Sequence, residues 1–214
     1  MIRPIALTPL VLALGLHLFV AAPAAAVSPQ AYADATAQFQ RATEGQTSAI
    51  DGAAAQWRAL SDAEPTDPVL RAYAGAATSM RALTTLLPWR KISHAEDGLA
   101  LLDKALAQLT PAHDAPAHRG VPATLEVRFT AASTFLSLPS MFNRGARGAR
   151  LLDEVVRSPL LEAAPMAFRA QVWLRAGLEA AKDKRTDEAR LWLQKAGTSG
   201  TPVAAQAQAR LGEL

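Results

Sequence analysis

Cysteine is absent from the 214 residues. That excludes disulfides, thiolate zinc sites, a cysteine nucleophile and an acylated cysteine at an exported N-terminus. A strong excess of one charge sign is absent too: 22 Lys and Arg stand against 19 Asp and Glu. The isoelectric point near 9.6 is therefore no basis for a nucleic-acid partner. No alternating run of apolar and polar residues reads as a strand. There is no phosphate-binding P-loop and no dinucleotide fingerprint. The Gly197-Thr198-Ser199-Gly200-Thr201 stretch is not G-x-S-x-G and follows a helical segment rather than a strand. Carboxylates such as Glu96, Asp97, Asp103 and Asp153 are spaced as caps and solvated faces, not as an acid–base pair. The reading is of a protein that is not an enzyme and needs no cofactor.

What is present is apolar surface in abundance. Half of the residues are hydrophobic and 19% are charged, a balance that supports a packed core and argues against wholesale disorder. Residues 1–26 stand apart. Arg3 is their one charge, Leu10 to Val20 is an apolar stretch broken only by His17, and Ala24 and Ala26 occupy the −3 and −1 places of an A-x-A cleavage site. This predicts a cleavable secretory signal peptide, with 27–214 as the exported, periplasmic or secreted domain. The alternative is an uncleaved anchor, although Pro9 interrupts the run. No later stretch is long and apolar enough to span a bilayer. The Ala-rich style points to a bacterial periplasm.

Helical periodicity fills the rest, and the fold class expected is all-α. Ser28-Pro29 opens a helix that Gly45 ends, with Tyr32, Ala35 and Phe39 on one face. Thr47 or Ser48 caps a second helix carrying Ala53, Trp57 and Leu60. A third is expected from Val69 to Leu86, stopped by Pro88. The capping box Ser93-His94-Ala95-Glu96 then opens a fourth through Leu99, Leu102 and Leu106. A polar connection, Pro111 to Gly120, leads to helices over 122–137 and 146–157. Two more follow, Pro165 to Lys182 and from Thr186 to near Gly197, and a short last helix begins at Thr201-Pro202. The count is four antiparallel hairpins plus a capping helix.

An internal repeat accompanies this count. Leu87-Pro88 precedes Gly98-Leu99-Ala100-Leu101-Leu102-Asp103, and Leu138-Pro139 precedes Gly148-Ala149-Arg150-Leu151-Leu152-Asp153. In the last pair Trp173, Ala176, Gly177 and Ala180 share one helix face, and Ala189, Leu193 and Ala196 share the next. At these residues the chain resembles the tetratricopeptide repeat (TPR), although Pro202 falls one place late and the middle repeats have a period of 50 rather than 34. The resemblance implies a right-handed solenoid of helical pairs whose concave face holds a peptide or protein segment. Stacking is also required physically, because one amphipathic pair cannot bury its own apolar face. Trp57 and Trp173 are expected between pairs, where burying such a side chain contributes roughly 1.5–3 kcal/mol.

Two connections are the candidate binding site. Pro88-Trp89-Arg90-Lys91-Ile92 and Pro139-Ser140-Met141-Phe142-Asn143-Arg144 each place large apolar residues beside basic ones at the same point of the repeat. Side by side they would form an apolar and cationic ridge suited to a partner groove or to an anionic lipid surface. The alternative is that Trp89, Ile92, Met141 and Phe142 tuck under their hairpins. Arg144, Arg147 and Arg150 follow on one helix as candidate contacts to acidic groups. The partner expected is a protein or peptide, bound by a scaffold or adaptor. A peripheral, lipid-facing module is the second reading. His113, Asp114 and His118 share a Pro-rich connection, but without cysteine a solvated loop is the better reading than a metal site.

Overall fold

The computed structural model describes residues 27–214; the signal-peptide expectation for 1–26 lies outside them. Among the described residues the chain is all-helical with no strand. Ten α-helices follow one another: α1 Pro29–Thr43, α2 Ile50–Ala63, α3 Pro68–Met80, α4 Pro88–Ala107, α5 Ala123–Ser137, α6 Gly145–Val156, α7 Leu160–Ala163, α8 Met166–Lys182, α9 Thr186–Gly197 and α10 Ala204–Leu211. No helix among them is long and apolar enough to cross a membrane.

Helix starts follow local chemistry. Ser28 caps α1, its hydroxyl accepting the Ala31 N–H at 3.1 Å ahead of a Pro at the first turn. Asp67 caps α3 by accepting from Val69 and Leu70 at 2.7 and 3.2 Å. The start of α4 differs from the sequence expectation. Pro88 opens the helix, and Ser93, His94 and Glu96 lie inside it. Proline lacks only an N–H that the first turn leaves unused, so it begins a helix as readily as it stops one. The Ser93 hydroxyl lies 3.4 Å from Asp97, not in a capping box with Glu96. At the other side of this corner α3 ends at Met80, six residues before the expected end, and tightens into a 3-10 turn over Arg81–Leu83.

Sequence neighbours pack as pairs, α1 with α2, α3 with α4, α5 with α6 and α8 with α9, and α10 lies against α9. The core lies in successive clusters along them. One cluster joins α1 to α6 through Tyr32, Trp57, Leu70, Leu102, Phe135 and Leu152. A second joins α5 and α6 to α8 through Leu125, Val155 and Phe168. A third ties α8, α9 and α10 together through Leu174, Leu193 and Ala207. Helix α3 is buried on nearly every side, as a helix with neighbours all round must be.

The repeated glycines sit at helix crossings. A Cβ on Gly98 would stand 2.5 Å from the Gly75 carbonyl oxygen and 2.7 Å from the Ser79 amide nitrogen, so α3 and α4 touch backbone to backbone. A Cβ on Gly148 would meet Leu136 and Phe135 side chains of α5 at 2.9 and 3.0 Å. The two positions therefore have the same role in successive hairpins. Trp57 is fully buried, as expected, whereas Trp173 is only partly so. The Trp173 ring carries the Arg169 guanidinium at 5.0 Å and the Lys195 ammonium at 5.9 Å, so it forms a cation-lined edge of the third cluster.

Candidate functional site

Two regions attract attention, an exposed apolar corner between α3 and α4 and a buried polar floor beneath the α4–α5 connection.

The corner begins where α3 loosens. Arg81 is tied back to Asp51 at 2.8 Å, and the Leu87 N–H reaches the Thr85 hydroxyl at 3.3 Å before Pro88 starts α4. This compact turn leaves its apolar side chains outside. Leu86 is 92% exposed and Trp89 65%. Leu83, Leu87 and Ile92 are exposed beside them, and so are Arg90 and Lys91. From Arg81 to Ala95 the sequence holds no Asp or Glu. Contiguous exposed apolar surface of this kind marks interaction sites more often than chance.

The second expected loop behaves differently. Met141 is 69% exposed, but Phe142 packs partly buried against the main cluster. Arg144 and Arg147 both turn inward. Arg144 bonds Asp103 at 2.9 and 3.4 Å, and Arg147 bonds it at 2.5 Å. Both guanidinium groups lie over the Phe135 ring, at 5.4 and 5.3 Å. Asp103 is fourteen residues, about 21 Å of helix, along α4 from Trp89. The two arginines thus belong to a clamp between α4, α5 and α6, and not to a cationic ridge beside Trp89. Arg150 is exposed. Of the expected set, the structure gathers Trp89, Arg90 and Lys91 at the corner, with Leu83, Leu86, Leu87 and Ile92. It places Arg144 and Arg147 elsewhere.

The buried floor was not foreseen. Glu126 of α5 is 1% exposed. Its Oε1 accepts from the Tyr73 hydroxyl at 2.8 Å, the Tyr32 hydroxyl at 3.1 Å and Arg119, whose Nε lies at 3.1 Å and whose Nη2 also reaches it. Arg119 Nη2 donates to the Tyr73 oxygen at 2.8 Å as well. His118 lies flat on Tyr32, centroids 4.4 Å apart, and its Nε2 is 2.7 Å from Asp67. Around them Tyr32, Trp57, Tyr73 and Phe39 pack as stacked and edge-on aromatic pairs.

The electrostatics follow from this packing. Burial, reinforced by Glu126, pushes both phenols above their ordinary range, so they stay protonated donors. Burial works against the Arg119 charge, but its neighbours Tyr73 and Glu126 outweigh it and favour the cation. The hydrogen bond that His118 donates to Asp67 raises its pKa above the ordinary value. Burial alone would raise Asp67; its contacts to His118, Leu70 and Val69 lower it instead.

The connection is mostly exposed, as expected, but the His118 side chain is held against Asp67 and Tyr32. The Pro111 to Gly120 segment forms a short 3-10 turn over Pro111–Asp114, where His113 Nδ1 accepts from the Thr110 N–H at 3.0 Å. A tight turn follows. The Ala117 N–H donates to the Val121 carbonyl at 2.8 Å and the Gly120 N–H to the Ala117 carbonyl at 2.8 Å. Gly120 supplies the left-handed geometry, with φ of 71°. Among the described residues no three His, Asp or Glu side chains gather as a metal site. The signal available in the sequence was Glu126 itself, a carboxylate between Leu125 and Val127 in an otherwise apolar helix start.

A third feature is a groove of about 310 Å³ between the α5–α6 and α8–α9 pairs, with Leu136, Leu152, Val156 and Trp192 on its walls. Its rim charges pair with one another, Lys182 with Glu179 and Arg185 with Asp183 and Glu188.

No family model, no curated protein and no solved structure matches this chain.

Proposed function

We propose that the chain is a non-enzymatic, TPR-like scaffold that binds a protein or peptide partner in the bacterial cell envelope, with the α3–α4 corner as its principal contact. The observation that carries this reading is the corner itself: Leu83, Leu86, Leu87, Trp89 and Ile92 stand out from a helical hairpin whose own core is already complete. Aromatic and aliphatic anchors of this kind supply most of the energy of protein interfaces, and adjacent cations such as Arg90 and Lys91 orient the partner. The pairwise packing and the glycines at the crossings support a repeat architecture of the TPR kind. The envelope location rests on the export signature of residues 1–26. The strongly perturbed groups, Tyr32 and Tyr73, are closed over rather than open to a substrate, which supports a binding role over catalysis.

The test is in-cell cross-linking of a tagged protein, compared with a Leu86→Ala, Trp89→Ala double variant of unchanged helicity. Capture of one envelope protein by the wild type and its loss in the variant is the expected result. Equal capture by both would remove the corner from the site.

A second reading is favoured by one observation, the absence of any carboxylate between Arg81 and Ala95. A Trp-bearing corner with Arg90 and Lys91 suits the interface of an anionic bilayer. Co-sedimentation with phosphatidylglycerol vesicles at low salt separates the readings: a corner that binds only protein leaves the chain in the supernatant.

A further inference from the structure

The geometry points to a second binding site, one that takes a guanidinium group and is filled in this structure by the chain's own Arg119. The site is the Glu126 carboxylate with the Tyr73 and Tyr32 hydroxyls, set in the aromatic floor of α1, α2 and α3. The His118-Arg119 turn is its internal ligand.

Four observations carry the inference. The first is recognition. Arg119 presents Nε and Nη2 to one carboxylate oxygen while Nη2 also meets a phenol oxygen. A planar fork with several fixed donors satisfies such an acceptor set, and an ammonium does not. The second is an unmet demand. Glu126 Oε2 is buried without a partner, and so is the Trp57 indole N–H in the same aromatic cluster. Arg119 uses one of the two carboxylate oxygens, and a buried carboxylate is best satisfied when both are used.

The third is the way the turn is held. Residues 111–116 are mostly exposed, and beyond them only Ala117 adds a partly buried apolar contact before Val121 enters the second cluster. The tip is fastened by His118 on Asp67 and by Arg119 on Glu126. Segments with few apolar contacts are those that open locally at low cost. The fourth is that sealing needs no charge. A buried ion pair is on average no more stabilising than apolar residues of the same volume, so closing the floor does not by itself account for a guanidinium on a carboxylate.

Together these describe a strap that blocks its own receptor. A ligand carrying an alkylguanidinium, either an arginine side chain of a partner segment or a free small molecule, displaces Arg119 and leaves the 117–120 tip undocked, while Val121 stays in the second cluster. The site lies on the N-terminal half of α3 and on α5, away from the α3–α4 corner, so each stands or falls by its own experiment.

The test uses the full chain and three probes: acetyl-Ala-Arg-Ala-amide, its lysine counterpart and free arginine. In Arg119→Ala the internal competitor, whose effective concentration is on the order of millimolar, is gone. The variant is expected to bind the arginine tripeptide at least about tenfold more tightly than the wild type does, and at least about tenfold more tightly than it binds the lysine tripeptide. In the wild type, high concentrations of the arginine tripeptide are expected to speed hydrogen exchange at the Ala117 and Gly120 amides while α5 stays protected. Tighter binding of the tripeptide than of free arginine assigns the site to a peptide segment; equal binding assigns it to a small guanidinium ligand. The inference is overturned if Arg119→Ala binds neither guanidinium probe, if it fails to distinguish arginine from lysine, or if the wild-type amides stay protected at tripeptide concentrations at which the wild type itself is occupied. Should Arg119→Ala fail to fold, His118→Ala keeps the Arg119–Glu126 contact and releases the other fastening. It is then expected to bind the arginine tripeptide more tightly than the wild type, and an unchanged affinity overturns the inference.

Discussion

The floor beneath the strap and the α3–α4 corner break opposite rules. The floor buries a carboxylate at 1% exposure among aromatic rings, and the corner leaves a leucine 92% exposed a few residues from a packed helix. Both lie against α3, so neither departure comes from a poorly packed part of the molecule. Places where burial and polarity disagree with the rest of a well-packed structure are where function is sought first. The difference between the two lies in what a mutation removes. In the floor it removes a partner from a buried charge. At the corner it removes a contact the folded chain never makes with itself.

The largest expected effect belongs to the floor. Arg119→Met strands Glu126, and breaking a buried pair costs about 3 kcal/mol. Urea unfolding followed by circular dichroism would show it. Adding Glu126→Gln removes the stranded charge, and the double variant is expected to recover more than half of the loss. A double variant no more stable than Arg119→Met would mean that the charge was never the cost.

Gly98→Ala acts on the hairpin that carries both regions. The new methyl would run into the Gly75 carbonyl and the Ser79 backbone, so α3 and α4 must separate, at about 2–3 kcal/mol. Gly148→Ala meets side chains that can shift, and about 1 kcal/mol is expected. Equal losses in thermal unfolding would show that the two crossings are not as different as their geometry. The clamp between the α4, α5 and α6 helices comes next. Asp103→Asn weakens two partly exposed ion pairs, which together contribute about 1 kcal/mol. High salt should shrink the difference from wild type.

The strap also carries a pH signature. His118 faces Asp67 and the Tyr32 ring, with Glu126 and Glu64 near enough to favour its cation. Its value is raised in the folded chain, so the contact is complete below the ordinary 6.5 and is lost as pH rises through the higher folded value. Asp67, held below its ordinary 3.8, sets the acid edge: its contribution is lost as pH falls through the depressed value. The Tyr32 phenol stays protonated throughout. Exchange at Ala117 and Gly120, corrected for intrinsic base catalysis, should speed a few-fold between pH 5.5 and 8.5, and His118→Ala should flatten that dependence. A wild-type profile as flat as the variant's would show that the strap does not depend on His118.

How much of this was legible in the sequence divides along the same line. The identity of nine helices was, because periodicity and caps such as Ser28 act locally; the one-turn α7 and the Asp67 cap of α3 were not foreseen. The Gly98 and Gly148 repeat was legible too, because the same backbone approach requires glycine each time. The start of α4 was not: Pro88 satisfies both a stop and a first turn, and only the fate of Trp89 to Ile92 decides between them. The clamp was missed because Arg144 and Arg147 find Asp103 across more than 40 residues, and spacing within one helix says nothing of that. The floor joins Tyr32, Tyr73 and Glu126 from three helices. Its one local trace was a carboxylate flanked by Leu125 and Val127, both fully buried.

The smallest expected effect on stability sharpens the comparison most. Trp89→Ala and Leu86→Ala remove side chains that are largely in water. Surface changes of this kind usually stay within about 0.5 kcal/mol, and removing exposed leucine and tryptophan should leave the unfolding midpoint in place. If the corner is a contact surface, the same two changes abolish partner capture, so stability and binding separate completely. At Arg119 they cannot separate, since the residue holds the fold and occupies the proposed guanidinium site at once. A loss of more than about 1 kcal/mol on Trp89→Ala would mean that the corner packs against the chain in solution. The difference between the two regions would then be one of degree, and the case for a partner at the corner would fall with it.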